Sequence, residues 1–144
     1  MKTLLPLLLV TWSCVSSSIV AAPPSSLTGT YLGRQDGTHA GVAFQDEIIE
    51  FAIVQQGDSV SGTWQITNGA SGSFEGAITP SETMFEFSLE MTQALPCDGG
   101  YAGTAEVQIG VRFDGSTTIG IVGSYTGDDC GGDVVADFFV QSTS

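Results

Sequence analysis

Val60-Ser61-Gly62-Thr63-Trp64-Gln65-Ile66, then Thr67-Asn68-Gly69, then Ala70-Ser71-Gly72-Ser73-Phe74 reads as two strands joined by a tight turn. Apolar or small residues alternate with Ser, Thr and Gln on both sides of the turn, the period of two that places alternate side chains on opposite faces of a strand. Thr67-Asn68-Gly69 suits a three-residue hairpin loop with Gly69 in the left-handed conformation. Ile66 is then expected to pair with Ala70, which sets Trp64 opposite Gly72 and Phe74 opposite Gly62. One face of the hairpin carries the glycines and the aromatic rings, and the other carries hydroxyls and amides.

The same phrase (apolar, any, Gly, Ser or Thr, aromatic) recurs at Leu27–Tyr31 and Ile121–Tyr125, with a degraded copy at Tyr101–Ala105. Alternation is equally clear in Phe85, Phe87, Leu89, Met91 against Glu86, Ser88, Glu90, and in Ala105, Val107, Ile109, Val111 against Thr104, Glu106, Gln108. Gly57-Asp58 reads as a two-residue turn that sets Phe51 against Trp64 and Ile53 against Gly62. Phe113-Asp114-Gly115 turns the chain so that Ile109 meets Ile119 and Val107 meets Ile121. In all three hairpins inward residues meet inward residues. No helical period appears after residue 26. Strands are expected near 27–33, 47–56, 59–67, 70–79, 83–93, 102–112, 117–126 and 133–141. Eight short antiparallel strands at this spacing point to an all-β, up-and-down barrel. Inward glycines give room for rings from neighbouring strands and let narrow strands bend.

In such a meander the connections after the first, third, fifth and seventh strands share one end. Cys97 and Cys130 fall there, in turn-like sequence, and a disulfide between them closes about thirty residues. The longest connection, Arg34 to Asp46, is expected at the same end, which makes this disulfide end the working face.

The chain of 144 residues opens with Lys2 and an apolar run from Leu4 to Trp12, a secretory signal too short to span a bilayer. Cleavage is expected after Ala21, leaving 22–26 as a linker and 27–141 as the barrel domain. Thr11-Trp12-Ser13-Cys14 partly resembles a lipobox, so a lipoprotein signal ending before Cys14, with a lipid anchor there, is the alternative. The protein is expected to be exported: secreted, periplasmic or anchored to the cell surface. Sixteen Asp and Glu stand against three Lys and Arg, for a net charge of −13. With Lys2 in the signal, Arg34 and Arg112 are the strong bases left, too few to neutralise phosphates, which excludes nucleic acid as a partner. A membrane-spanning barrel would need its apolar face outward and Glu75, Glu86, Glu90 and Glu106 inside a narrow lumen without bases to pair with, and is not expected.

The Leu27–Tyr31 and Val60–Trp64 phrases resemble the Thr-Gly-Thr-aromatic strand openings of the calycin group, the lipocalins and avidins. The resemblance implies an eight-stranded meander barrel over most of 27–141. It does not carry over ligand residues: Gly33 stands where avidins have an Asn, Trp64 is alone in the barrel domain, and the lipocalin Gly-x-Trp pattern is missing from the first strand.

The interior of such a barrel either packs solid or holds one small ligand. Its candidate ligand-binding residues are Tyr31, Phe51, Trp64, Phe74, Phe87 and Tyr125. With no inward charge evident, the ligand is expected to be small and apolar. A second reading has the loops at the disulfide end binding a protein, as barrel-shaped protease inhibitors do. No catalytic set is recognisable: His39, the single histidine, reads as a solvated loop residue. Asp128, Asp129 and Asp133 are weak calcium candidates whose spacing matches no known loop, and ordinary acidic turn chemistry explains them as well. No cofactor is implied.

Overall fold

The computed structural model describes residues 26–80, 85–111 and 113–143. The expected signal with its cleavage point, Cys14, Arg112 and positions 83–84 lie outside the described residues.

Eight antiparallel strands form one closed up-and-down barrel: β1 (Gly29–His39), β2 (Val42–Gln56), β3 (Ser59–Ile66), β4 (Ser71–Pro80), β5 (Phe85–Leu95), β6 (Gly99–Val111), β7 (Thr117–Asp129) and β8 (Gly132–Ser142). Each strand pairs with the next, and β1 closes on β8. The three expected registers are present: Trp64 faces Gly72 and Gly62 faces Phe74, Phe51 faces Trp64, and Ile109 faces Ile119. The β3–β4 turn is held by the Ile66 N–H donating to Ala70 O at 2.8 Å, with Gly69 at φ 99°.

The inward glycines answer chiefly to backbone. A Cβ on Gly62 would lie 1.8 Å from the carbonyl oxygen of Ala52, so the neighbouring strand itself crosses where a side chain would begin. At Gly127 both causes act, with Gly100 O at 2.0 Å and the Tyr101 ring at 2.8 Å.

The structure corrects the strand limits at the disulfide end. Arg34 to Asp46 is not a long connection: β1 and β2 run on as a hairpin to a two-residue turn at Ala40-Gly41, both at positive φ. That extension is stitched to β8 through His39 opposite Val134. A bulge opposite Gln35–Gly37 interrupts the ladder, with Asp46 at φ 56°. The bulged Asp46 N–H donates to Asp36 Oδ1, and its own carboxylate holds Arg34 at 2.8 Å. By adding one residue, the bulge resets the alternation on β2, so that Phe44 and Glu47 both reach the interior although three positions apart. β5, β6 and β7 likewise run beyond their expected ends, leaving tight turns in which Cys97 and Cys130 form the disulfide, their Cα atoms 6.2 Å apart.

Apolar side chains from all eight strands fill the interior. Leu27, just ahead of β1, is fully buried, its N–H held by Gln55 Oε1 at 2.8 Å. Six rings form a continuous chain through the barrel. Phe74 meets Phe51 edge-on at 5.5 Å, Phe51 meets Phe138 at 5.2 Å, and Phe138 meets Tyr125 at 6.4 Å. Tyr125 then meets Tyr101 at 5.4 Å, and Tyr101 meets Trp64 at 6.0 Å. Such pairs contribute about 0.5–1.5 kcal/mol each beyond area burial. Along this chain Phe gives way to Tyr, and then to Trp, toward the disulfide end.

Candidate functional site

The change from Phe to Tyr marks where polar atoms enter the barrel. Gln35 on β1 and Gln93 on β5 sit at inward positions and are each 2 % exposed. A buried amide must find partners for its carbonyl and its NH2, and both glutamines find the same kinds. Tyr125 donates its phenol to Gln35 Oε1 at 2.7 Å, and Gln35 Nε2 donates to Glu47 Oε2 at 3.1 Å. Tyr101 donates to Gln93 Oε1 at 2.7 Å, and Gln93 Nε2 donates to Cys97 O at 3.0 Å and Asp129 Oδ2 at 3.4 Å. Two Tyr–Gln–carboxylate relays therefore run side by side, one on each of two touching tyrosine rings. Each glutamine is bonded at both ends, which orients its amide.

Both carboxylates receive further donors. Asn68 Nδ2 reaches Glu47 Oε1 at 3.3 Å. Asp129 Oδ1 accepts the Gly131 N–H at 2.7 Å and stands 2.9 Å from His39 Nε2, with the Asp129 side chain only 10 % exposed. Burial pulls the Asp129 pKa upward, but the hydrogen bonds from Gly131, His39 and Gln93, with the charge of His39, outweigh it and hold the group below the usual aspartate value. Burial is the main cause that pushes the Tyr101 and Tyr125 phenols well above the usual tyrosine value, followed at Tyr101 by Asp129 and Asp128 and at Tyr125 by the Tyr101 phenol and then Glu47. Both stay protonated and act as donors.

These groups line an open cavity of about 370 Å3 at the disulfide end. Its apolar walls include Phe44, Trp64, Ile66 and Val134. Trp64 donates its indole N–H to Ser73 O at 3.2 Å, which fixes the ring in place. Among the expected ligand-binding residues, Trp64 and Tyr125 line this cavity. Tyr31 and Phe74 are buried in the packed core, and Phe51 and Phe87 border a void of about 10 Å3, no bigger than one water. The expectation of an interior free of charge does not hold, since Glu47 and Asp129 both line the cavity.

His39 is not a loop residue: it ends β1 and ties the β1–β2 hairpin to β7 through Asp129. No Ser, Thr or Cys lines the cavity beside that pair, so a nucleophile–base–acid set is not assembled there. Asp128 and Asp133 face each other across β7 and β8 and are exposed, while Asp129 points inward. The three calcium candidates thus divide between two faces, and no group of three or more acidic, His or Cys side chains among the described residues could hold a metal.

Strand parity accounts for most of the cavity residues not anticipated from the sequence. Gln35 and His39 continue the inward parity of Tyr31, Gln93 that of Met91, Tyr101 that of Ala105, and Asp129 that of Tyr125. No family model matches this chain, and no curated protein or solved structure does.

Proposed function

We propose that this chain is an exported, lipocalin-like binding module that takes one small molecule into the cavity at its disulfide end. One observation carries the reading: a cavity of about 370 Å3 whose polar groups are already oriented by internal hydrogen bonds. That volume falls in the range of about 300–1,000 Å3 typical of ligand pockets. Groups held in place before binding need no ordering when the ligand arrives, which lowers the entropic cost of association. The ligand has an apolar body and at least one polar end. A wholly apolar molecule would strip water from Glu47 and Asp129 and offer nothing in return. The N-terminal signal and the disulfide support export, with the chain either released or tethered through Cys14. Net charge argues against nucleic acid as the cargo.

A protein partner at the same end is the second reading. It is favoured by Val42 and Leu95, 71 % and 58 % exposed, at the ends of strands that border the opening. The connections there are short turns, so an inhibitor-like protein contact would have to use a low rim instead of projecting loops.

Native mass spectrometry of the exported, disulfide-intact protein, compared with its denatured mass, tests the first reading. A co-purifying adduct of a few hundred daltons that is lost on denaturation is the expected result. A bare native mass that persists after incubation with mixed small amphiphiles would overturn it and leave the protein partner. The denatured mass also reports whether Cys14 has been removed or lipidated.

A further inference from the structure

Resting on that reading, the geometry points to the class of cargo: a small protonated amine carrying an apolar, preferably aromatic, body, with Glu47 as its counter-ion. The polar lining has a marked bias. The Tyr101 and Tyr125 hydroxyls and the Gln35, Gln93 and Asn68 amides all donate to protein acceptors, and those chains end on two carboxylates. What the cavity offers a newcomer is chiefly acceptor capacity and negative charge, because a carboxylate can accept about four hydrogen bonds. Glu47 accepts two, both from neutral amides, while Asp129 is already met by His39, Gly131 and Gln93. Glu47 is therefore the carboxylate left without a cationic partner among these contacts.

The walls favour the same ligand. Trp64 and Tyr101, their rings 6.0 Å apart, flank the cavity; an aromatic face attracts an ammonium, and faces and edges alike pack the flat body attached to it. At long range a net charge of −13 draws cations toward the protein and repels anions. A carboxylate or phosphate ligand would meet like charge inside and out, and a neutral alcohol would leave Glu47 uncompensated. The volume limits the body to the small end of the ligand range.

The test uses three probes of nearly one shape: phenethylamine, 2-phenylethanol and phenylacetate. Each is titrated calorimetrically into the exported, disulfide-intact protein, with Trp64 fluorescence as a second readout. The amine is expected to bind at least tenfold more tightly than the alcohol, and phenylacetate not measurably. Glu47→Gln, which keeps an acceptor and the side-chain length, should erase the amine's advantage, a loss of roughly ten- to hundredfold for a charge-assisted hydrogen bond. Asp137→Asn, on the exposed outer wall, controls for net charge and should leave the advantage intact. Equal binding of amine and alcohol would overturn the cationic cargo and leave the small-molecule module standing. An advantage that survives Glu47→Gln but falls with Asp137→Asn would show long-range attraction alone and sink Glu47 as counter-ion. Failure of all three probes at millimolar concentration, together with a bare native mass, would overturn both readings.

Discussion

The two ends of the barrel interior solve opposite problems. At the end away from the disulfide, Leu27, Ile53, Val60, Ile121 and Val140 are buried in one core cluster, and the void bordered by Ile53, Phe87, Ile121, Phe138 and Val140 is only about 10 Å3. At the disulfide end, a comparable circle of strands carries two glutamines, two carboxylates and two phenols around an opening of about 370 Å3. One strand can serve both ends: β5 runs from Phe87 through Leu89 and Met91 to Gln93, changing from hydrocarbon to amide without leaving the inner face. Burial of apolar area holds the first end together. The second gives up part of that burial for oriented polar groups and recovers stability through hydrogen bonds and a covalent staple. Function is thus expected where the interior is least well filled.

The largest effect should come from the closed end. Phe51→Ala removes a ring that packs on both Phe74 and Phe138, and should cost about 3–5 kcal/mol in urea unfolding. The folded fraction should bind cargo as before, because Phe51 does not line the cavity. If this variant lost binding in proportion to stability, the two ends would not be separable. Next comes the staple. Replacing Cys97 and Cys130 with Ser frees a loop spanning 33 positions, for an expected loss of about 3–4 kcal/mol. Here amide exchange should distinguish the ends: protection should fall first at Gln93, Tyr101 and Asp129, with the Phe51 neighbourhood opening only with global unfolding.

A third, smaller effect depends on pH. Asp129 is held below the usual aspartate pKa in the folded state, so the native form binds its proton less readily than the unfolded chain. Its contribution is therefore complete above the unfolded value, about 4, and is lost as pH falls through the lower folded value. Asp129→Asn should cost about 1–2 kcal/mol near neutrality, since His39 and the Gly131 N–H lose a charged acceptor. The gap between the variant and the parent should narrow below pH about 4, measured by thermal unfolding across a pH series. A gap that stayed constant with pH would mean that the carboxylate's charge does not stabilise the opening.

The closed end was legible in the sequence and the opening only in part, through the Asn68-Gly69 turn, Trp64 and Tyr125, for one physical reason. Strand alternation shows itself through contrast, and Phe87, Leu89 and Met91 against Ser88 and Glu90 supply it. Past Gly33, Met91 and Tyr125 the inward positions turn polar or small, as Gln35, Gln93 and Asp129, and the contrast fades although the geometry continues. A polar inward run reads as a loop, so the strands expected from alternation stop where the cavity begins. Three registers could be derived because each hinged on a turn of two or three residues with Gly in a left-handed or tight position. The Ala40-Gly41 turn offered no such signal, because Ala seldom adopts φ 50°. The bulge at Asp46 also broke the count on β2, concealing the inward place of Phe44. Parity could place Gln35 and Gln93, but their shared pairing with a tyrosine and a carboxylate depends on strands far apart in the chain.

The smallest effect lies outside both ends and tests whether position or mere charge sets the value of a carboxylate. Inside, Glu47 accepts from two donors and Asp129 from more. On the outer wall Glu86 stands directly opposite Glu106 across β5 and β6, and Glu75 opposite Glu90 across β4 and β5. Like charges in register repel, by roughly 0.2–1 kcal/mol per pair, and salt screens them. Glu86→Lys converts one such pair to an attractive one and removes two units of negative charge at an exposed position. It should stabilise the barrel by about 0.5–1 kcal/mol at low ionic strength, most of it disappearing in 1 M salt. Cargo affinity should change little, and by a salt-sensitive amount, because the lysine lies on the far side of the wall from Glu47. If instead Glu86→Lys weakened amine binding as much as Glu47→Gln does, the overall field would be the recognition element, and the oriented relays at the disulfide end would serve only to hold it open.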